Sequence, residues 1–288
     1  MNQSSALKNI KYTSIHCHPV HDARDTFTDY SRYISMLDNV GLDKVVMYGN
    51  ISYGVTDEMI VNFVRKFPRR IIGVPEIIPW EKDVKDKIKS FALEHGMSGI
   101  KLHPSLGFKP DDKKLMYPIY ELCLKLNLAI ACHSAIAGPV REKTFNDCCQ
   151  PIFFDRVSDD FPELRIVISH CGWPLIEQTH LLSWRSNIAL DITRISPFYY
   201  KNYWKETIGL LLWRFGPQRI LFGNLGILGK NKNGYDFKTT ENKMKIELKD
   251  TLKLLTGLKK NVETELTALD TGDYENIMGG NALRLFAK

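Results

Sequence analysis

Short apolar runs rich in β-branched residues alternate along the chain with longer stretches of helical period. The strand-like runs lie at residues 12–16, 44–48, 71–75, 99–102, 128–132, 165–169, 187–191 and 219–222. A helix-like stretch follows each run, at residues 29–39, 57–67, 81–95, 113–126, 146–160, 174–184, 203–213 and 242–258. Strand-then-helix units in one series, without a long linker or a shift in composition, predict an α/β fold closed into a (β/α)8 barrel.

An open, doubly wound sheet is the rival fold with the same alternation. It usually has fewer strands and carries a glycine-rich phosphate turn after the first of them. Here the first strand runs instead into His16-Cys17-His18-Pro19. The length of 288 residues also suits a TIM barrel, which typically needs about 250. We therefore predict a single TIM-barrel domain over residues 1–288.

Composition and charge exclude several classes of function. Apolar residues make up 44% and charged residues 25% of the chain, which are ordinary globular proportions. Much of the net charge of +6 comes from a lysine-rich stretch in which Met244, Leu248, Leu252 and Leu255 recur at helical spacing. These lysines are typical of the solvated face of a helix. No run interleaves basic residues with stacking aromatics, so nucleic-acid binding is not expected.

Cysteine usage and the N-terminus indicate the compartment. No CxxC pair occurs, and the N-terminus lacks the apolar core of a signal peptide. No apolar run approaches the roughly 18 residues that span a bilayer. We expect a cytoplasmic protein that acts on a small-molecule substrate and has neither nucleic-acid nor membrane partners. A homo-oligomer is left open.

Histidines are concentrated at the ends of the predicted strands, at His16, His18, His103, His133 and His170. In a barrel all carboxyl ends of the strands meet at one face, where active sites are housed. Because strand side chains alternate, His16 and His18 are expected to point toward the barrel axis. The neighbouring cysteines are expected to point toward the helices as packing residues: Cys17, Cys132 and Cys171.

Imidazoles at one rim favour a metal site. Neutral imidazole suits zinc and, less selectively, manganese, iron or nickel. Two inward histidines one residue apart can share a metal ion, and a third from across the barrel leaves the ion open to water. Such an ion lowers the pKa of its water and polarises a substrate carbonyl.

Six segments resemble the amidohydrolase superfamily, in particular its branch of amidohydrolase-related hydrolases and aminocarboxymuconate semialdehyde decarboxylase-like enzymes. They are Ile15-His16-Cys17-His18-Pro19, Gly99-Ile100-Lys101-Leu102-His103-Pro104, Ala131-Cys132-His133-Ser134, Ile168-Ser169-His170-Cys171-Gly172, Arg219-Ile220-Leu221-Phe222-Gly223 and Met278-Gly279-Gly280-Asn281-Ala282. They cover nearly the whole chain in the family's order. The resemblance implies that His16, His18 and His133 are metal ligands, and we expect them to hold one divalent ion, zinc ahead of manganese, iron or nickel. It also implies that His170 is a catalytic, substrate-facing residue.

The chain departs from the family at the end of strand eight. The family's motif there is Phe-Gly-Ser-Asp, whereas this chain has Phe222-Gly223-Asn224-Leu225, and leucine can neither bind metal nor move a proton. Three histidines and water could suffice, with His170 moving the proton. Asp191 or Glu76 could instead replace the missing acid, although Asp191 is slightly favoured as a structural acceptor. The protein could also have lost its chemistry and kept the pocket for binding.

Basic residues near the rim are candidates for binding an anionic substrate group. Lys101 and His103 lie on the same side of the fourth strand, and Arg141 and Arg194 lie on loops after strands five and seven. We predict a metal-dependent hydrolase of an amide or lactone-type carboxyl derivative that uses a metal-bound water at the barrel mouth. The alternatives are a non-oxidative decarboxylase of an aromatic or unsaturated carboxylic acid, and a catalytically inactive binding protein.

Overall fold

The structure, a computed structural model, describes residues 10–18, 30–135, 143–194, 203–224, 230–231, 234–235, 237–258 and 269–286. The strands of the main sheet are β1 Tyr12–Cys17, β2 Leu42–Tyr48, β3 Ile71–Val74, β4 Gly99–Leu102, β5 Ala129–His133, β6 Ile166–Ser169, β7 Ile188–Asp191 and β8 Ile220–Leu221. A short antiparallel pair follows, β9 Lys230–Asn231 and β10 Gly234–Tyr235.

Among the described residues, one α-helix follows each strand of the main sheet, and two short α-helices come after them. They are α1 Tyr30–Val40, α2 Asp57–Lys66, α3 Val84–Leu93, α4 Tyr117–Lys125, α5 Phe153–Asp160, α6 Ile176–Leu181, α7 Tyr203–Phe215, α8 Phe237–Thr256, α9 Thr271–Glu275 and α10 Asn281–Leu285. Within the described ranges, no helix combines the length and the apolar character needed to cross a bilayer.

The parallel strands close into a barrel. β1 to β3 pair in sequence order, as do β4 to β8. The two groups are joined on one side by a bridge between Glu76 and Lys101 and on the other by a bridge between Ile15 and Gly223. The backbone N–H of Ile15 donates to Phe222 O at 3.0 Å across the second junction. The predicted (β/α)8 barrel is therefore confirmed.

The strands separate two apolar layers. Small and medium side chains fill the barrel interior, among them Ile15, Val46, Ala131, Val167 and Leu221. A larger cluster lies between the strands and the helices, and it contains all three cysteines that were expected to point outward: Cys17, Cys132 and Cys171. Strand alternation therefore separates packing residues from the residues that line the barrel axis.

The end of the chain closes the barrel at the amino ends of its strands. Ala282 and Phe286 of α10 belong to the interior cluster. The Asn281 side chain donates to Pro217 O at 2.7 Å and to Ile220 O at 2.6 Å. Because this end is plugged, the opposite rim is the one that can admit a substrate.

One predicted helix is divided. The sequence suggests a helix over 146–160, but the structure has a 3-10 turn at Asn146–Cys149 and α5 begins at Phe153. Pro151 lies between them. Proline lacks a backbone N–H and disfavours helical backbone in the residue before it, so the two segments cannot join.

Candidate active site

The end of β1 is irregular where it carries its histidines. The pairing with β2 shifts register between Ser14 and Cys17, and His16 has a left-handed φ of 61°. This bulge brings the His16 ring within 5.1 Å of the His18 ring and 4.5 Å of the His170 ring, measured between centroids. Left-handed backbone at a non-glycine residue costs about 1–3 kcal/mol and persists where surrounding contacts enforce it.

The end of β6 has a second left-handed segment. His170, Cys171 and Gly172 have φ values of 57°, 49° and 70°. The Thr179 hydroxyl donates to Cys171 O at 2.7 Å and holds the turn. A Cβ at position 172 would lie 2.3 Å from Pro151 Cγ, so this position requires glycine for space as well as for its φ. The turn directs the His170 ring toward His16.

Each ring of the histidine cluster, defined as His16, His18, His133 and His170, is tied by a hydrogen bond. Nδ1 of His16 lies 2.6 Å from Asp191 Oδ2, Nδ1 of His18 2.8 Å from Tyr48 O, and Nδ1 of His170 2.9 Å from Thr193 O. The backbone of Ala135 hydrogen-bonds His133, whose buried Nε2 has no hydrogen-bond partner among the described residues. An oxygen acceptor at Nδ1 requires the proton there and leaves the lone pair of a neutral ring on Nε2.

Burial keeps these rings neutral. It lowers the pKa of His18 and of His170 to about 3, and it lowers the pKa of His16 and of His133 well below the usual value. The charge of Lys101 lowers all of these pKa values further. Neutral imidazole is the form that binds a metal ion or accepts a proton.

Asp191, at the end of β7, is fully buried beside His16. Its Oδ1 accepts from the backbone N–H of Thr193 at 2.7 Å and from the Thr193 hydroxyl. Gly223 allows this approach, since a Cβ there would overlap the Thr193 hydroxyl. Burial raises the pKa of Asp191 to about 6. His16, His170 and Asp191 have ligand atoms within 4.8 Å of one another, and they form the group of described residues that could hold a metal ion.

His133 and His103 form a separate pair. Their rings are stacked with centroids 4.2 Å apart and 8° between planes, and the His103 Nδ1 lies 2.6 Å from the Ser105 hydroxyl. His133 also contacts His170, at 5.2 Å between centroids. Of the three ligands expected from the sequence, His16 alone belongs to the group with His170 and Asp191.

The other expected site residues lie at different depths. Glu76 is buried and accepts from the backbone N–H of Ile51 at 2.6 Å, which holds the loop after β2. Lys101 is buried inside the barrel, 1% exposed. Arg194 is exposed just beyond β7 at a left-handed φ of 65°, and its charge lowers the pKa of His18 and of His170.

Two residues important to the prediction, Arg141 and Leu225, lie outside the described residues.

Sequence reasoning missed three polar residues of this site. Tyr48 ends β2 and contacts the His16 ring at 4.8 Å. Ser169 ends β6, and Thr193 follows β7 by two residues. The rule that polar residues at the carboxyl ends of barrel strands meet at one rim applies to Tyr48 and Ser169, and it would have found them.

A comparison with protein-family models identifies the family. The amidohydrolase model Amidohydro_2 matches residues 10–288. The chain belongs to the amidohydrolase family. This family membership confirms the resemblance seen in the sequence and makes the chain a member of a family of metal-dependent enzymes. No curated protein matches the chain significantly.

Solved structures share the barrel at low identity. An uncharacterized TIM-barrel protein from Bordetella bronchiseptica is 18% identical with a TM-score of 0.70, over 96% of this chain and 99% of that one. A putative 2-pyrone-4,6-dicarboxylic acid hydrolase from Pseudomonas putida is 15% identical with a TM-score of 0.69, over 96% and 97%. A manganese-bound 5-carboxyvanillate decarboxylase mutant from Novosphingobium aromaticivorans is 11% identical with a TM-score of 0.61, over 97% and 98%. At these identities the likeness shows the fold.

Proposed function

We propose that this chain is a metal-dependent hydrolase of an amide or lactone-type carboxyl derivative. The observation that carries the proposal is the buried group of His16, His170 and Asp191, in which two imidazoles and a carboxylate able to bind or orient a metal ligand lie within 4.8 Å of one another. Its two rings are held with Nδ1 as the hydrogen-bonded nitrogen. The nitrogen that can bind a cation is then Nε2 in both.

The residues present fit a divalent cation. Burial keeps the rings neutral, so no proton has to leave before an ion binds. His133 Nε2 is a buried nitrogen that lacks a hydrogen-bond partner among the described residues, as expected where a ligand or substrate completes a site. We propose His16 and His170 as ligands. His18 also lies outside that group, but its ring is 5.1 Å from the His16 ring and is not stacked on any other histidine that the structure describes, so we propose it as the third ligand.

Asp191 is proposed to orient His16 rather than to bind the metal. Both of its oxygens already accept hydrogen bonds, Oδ2 from His16 and Oδ1 from Thr193. A carboxylate that accepts the second ring N–H of a ligating histidine fixes the ring and strengthens it as a ligand. This proposal keeps the structural role that the sequence slightly favoured for Asp191.

A divalent ion bound at these nitrogens supplies acidity to water and polarises the substrate carbonyl. Proton transfer is assigned to His133, whose Nε2 can take a proton from the attacking water and return it to the leaving group. The sequence assigned His133 to the metal and His170 to the proton. We propose the exchange of these two roles, because His170 is grouped with His16 and Asp191 while His133 is stacked on His103.

We propose that Arg194 binds an anionic group of the substrate. The Arg194 side chain is exposed just beyond β7, and its positive charge lowers the pKa of His18 and of His170. His103, and Arg141 outside the described residues, remain candidates for the same task. A guanidinium can hold a carboxylate through two parallel hydrogen bonds, which would orient the reacting carbonyl as well as bind it.

Metal content of histidine variants tests the proposal. His16→Ala and His170→Ala are expected to lose bound zinc or manganese, whereas His133→Ala keeps the metal and loses activity in a screen of amides and lactones. His180→Ala, on α6, is the matched control and keeps both. Metal retained in His170→Ala and lost in His133→Ala would restore the assignment made from the sequence. A wild-type protein that cannot be loaded with either metal would refute the hydrolase and favour a binding protein.

A decarboxylase is the second candidate, favoured by the buried cation of Lys101 close to the histidine cluster. A cation there would attract a substrate carboxylate. The same screen, extended to aromatic and unsaturated carboxylic acids, separates the two reactions. Carbon dioxide released without incorporation of oxygen from labelled water indicates decarboxylation, and labelled oxygen in the product indicates hydrolysis.

A further inference from the structure

Lys101 occupies an unusual position for a lysine. It lies on β4 with Ala131 of β5 beside it in register, and both face the barrel interior. The side chain is 1% exposed. Because alanine is small, the interior at this level has room for the long lysine stem. The ammonium is carried by that stem into the barrel rather than to solvent.

The ammonium has few partners there. Its Nζ donates to the Ser169 hydroxyl at 2.8 Å and lies 4.6 Å from the centre of the Tyr48 ring. In the described part of the chain, no carboxylate lies within ion-pair distance of Nζ. Burying an unpaired charge is costly, and methionine would fill the same space without that cost. A lysine here therefore requires an explanation other than packing.

Ser169 connects this ammonium to Asp191. Ser169 and Asp191 each follow a residue of the in-register pair Ile168 and Leu190 on β6 and β7, so they lie side by side at the ends of neighbouring strands. A hydrogen bond from the Ser169 side chain is among the causes that hold down the pKa of Asp191, and the same hydroxyl accepts from Lys101. The direction of both bonds is fixed, because an ammonium has only donors and a carboxylate only acceptors. Lys101 thus donates to Ser169, and Ser169 donates its single hydroxyl proton to Asp191.

Asp191 then has its acceptor positions filled. The backbone and the hydroxyl of Thr193 and the Nδ1 of His16 donate to it, and the Ser169 hydroxyl beside it supplies the fourth donor. A carboxylate offers about four lone-pair positions, so these four donors leave none over. The orientation of the carboxylate toward His16 depends on all of them, and the Ser169 contact is the one reinforced by a charge.

We infer that Lys101 is a positioning residue, which acts through Ser169 and Asp191 to fix the ring of His16. Four strands of the barrel contribute to this relay, namely β4, β6, β7 and β1. The inference rests on the proposed metal-binding role of His16, and it gives Lys101 a task other than the substrate contact suggested by the sequence. Charged hydrogen-bond chains of this kind polarise one another, so each member depends on the rest.

Metal affinity of single and double variants tests the relay. Zn²⁺ affinity is measured by competition with a chromophoric chelator for Lys101→Met, Ser169→Ala and the double variant. Each single variant is expected to bind Zn²⁺ about 10-fold more weakly. The double variant is expected to be no weaker than the weaker single variant, because both changes break the same chain. Ser169→Thr keeps the hydroxyl and is expected to restore affinity, and Ser158→Ala is the control for losing a buried serine elsewhere.

A second measurement needs no metal. Nitrogen-15 spectra of the metal-free protein report which ring nitrogen of His16 carries the proton. The wild type is expected to show the Nδ1–H form, and Ser169→Ala and Lys101→Met a mixture of both forms. If the wild type binds no Zn²⁺, the proposed function fails while these spectra still decide the relay.

Three results would overturn the inference. They are spectra unchanged in both variants, losses of Zn²⁺ affinity that add in the double variant, and unchanged affinity with a raised KM for an anionic substrate. The last would return Lys101 to substrate binding.

Discussion

Replacing Asp191 by asparagine changes one atom and inverts one hydrogen bond. In the native protein His16 Nδ1 donates to Asp191 Oδ2 at 2.6 Å, with both side chains buried. In Asp191→Asn, the amide oxygen can still accept from Thr193, which places the NH2 group opposite His16. Two donors would then face each other. The ring relieves this by moving its proton to Nε2, the nitrogen proposed to bind the metal.

The expected size follows from the bond that is lost. A buried hydrogen bond to a charged group contributes about 1.5–3 kcal/mol. At about 1.4 kcal/mol per factor of ten, metal affinity should fall about 10- to 100-fold. The range known for residues that orient metal ligands is similar, roughly 10- to 100-fold. The fold should persist, since asparagine has nearly the same shape.

Chelator competition with Zn²⁺ measures the loss, and a thermal melt of the metal-free protein checks the fold. Asp155→Asn is the matched control. Asp155 lies on α5 and not at the barrel mouth, and it forms an ion pair with Arg185, with 2.7 Å between Oδ1 and Nε. Affinity in Asp191→Asn within a factor of two of the wild type, in a folded protein, would show that the carboxylate does not orient a ligand.

Three further predictions concern the turn after β6, acid and substrate charge. Gly172→Ala should unfold at a clearly lower temperature than Gly96→Ala, since both positions have left-handed φ but only position 172 lacks space for a Cβ; equal melting temperatures would remove the steric explanation. The unfolding free energy of the metal-free protein should fall as pH drops from 7 to 5, because the unfolded chain protonates histidines that the fold keeps neutral, two of them with pKa values of about 3. Urea titration should show about 2 kcal/mol lost for each such histidine, partly offset by the raised pKa of Asp191, and a stability that is equal or greater at pH 5 would contradict this. Arg194→Gln should raise KM for a carboxylate substrate about 10-fold with little change in kcat, whereas Arg214→Gln, near the far end of α7, should leave both unchanged.

Much of the fold was predictable from periodicity. Each of the eight predicted strands overlaps an observed one, and the range predicted for β4 is the one observed. Register within the barrel places residues at strand ends on one rim, so the location of His16, His133 and His170 followed from their positions. A single domain over residues 1–288 stays a prediction of the sequence.

Sequence patterns place the histidines at one rim of the barrel, but they do not determine how the side chains there contact one another. Strand alternation predicts that His16 and His18 have the same backbone geometry and point in the same direction. In the structure, a register shift in β1 and a left-handed φ at His16 give the two histidines different backbone geometry. The pairing of Asp191 with His16 joins residues 175 positions apart, and the stacking of His103 on His133 joins two strands. Such contacts depend on barrel closure, which no local pattern encodes.

The sequence by itself determined the barrel, the family and the rim at which the histidines meet, because periodicity and strand order are local properties of the chain. Only the tertiary structure decided which ring contacts which, that Asp191 reaches His16, and that Lys101 points inward with its charge buried. These contacts join side chains from strands that are distant in sequence and close together inside the barrel. The partners of each side chain there depend on its size and on how far along the barrel axis it lies, and not on its neighbours in sequence.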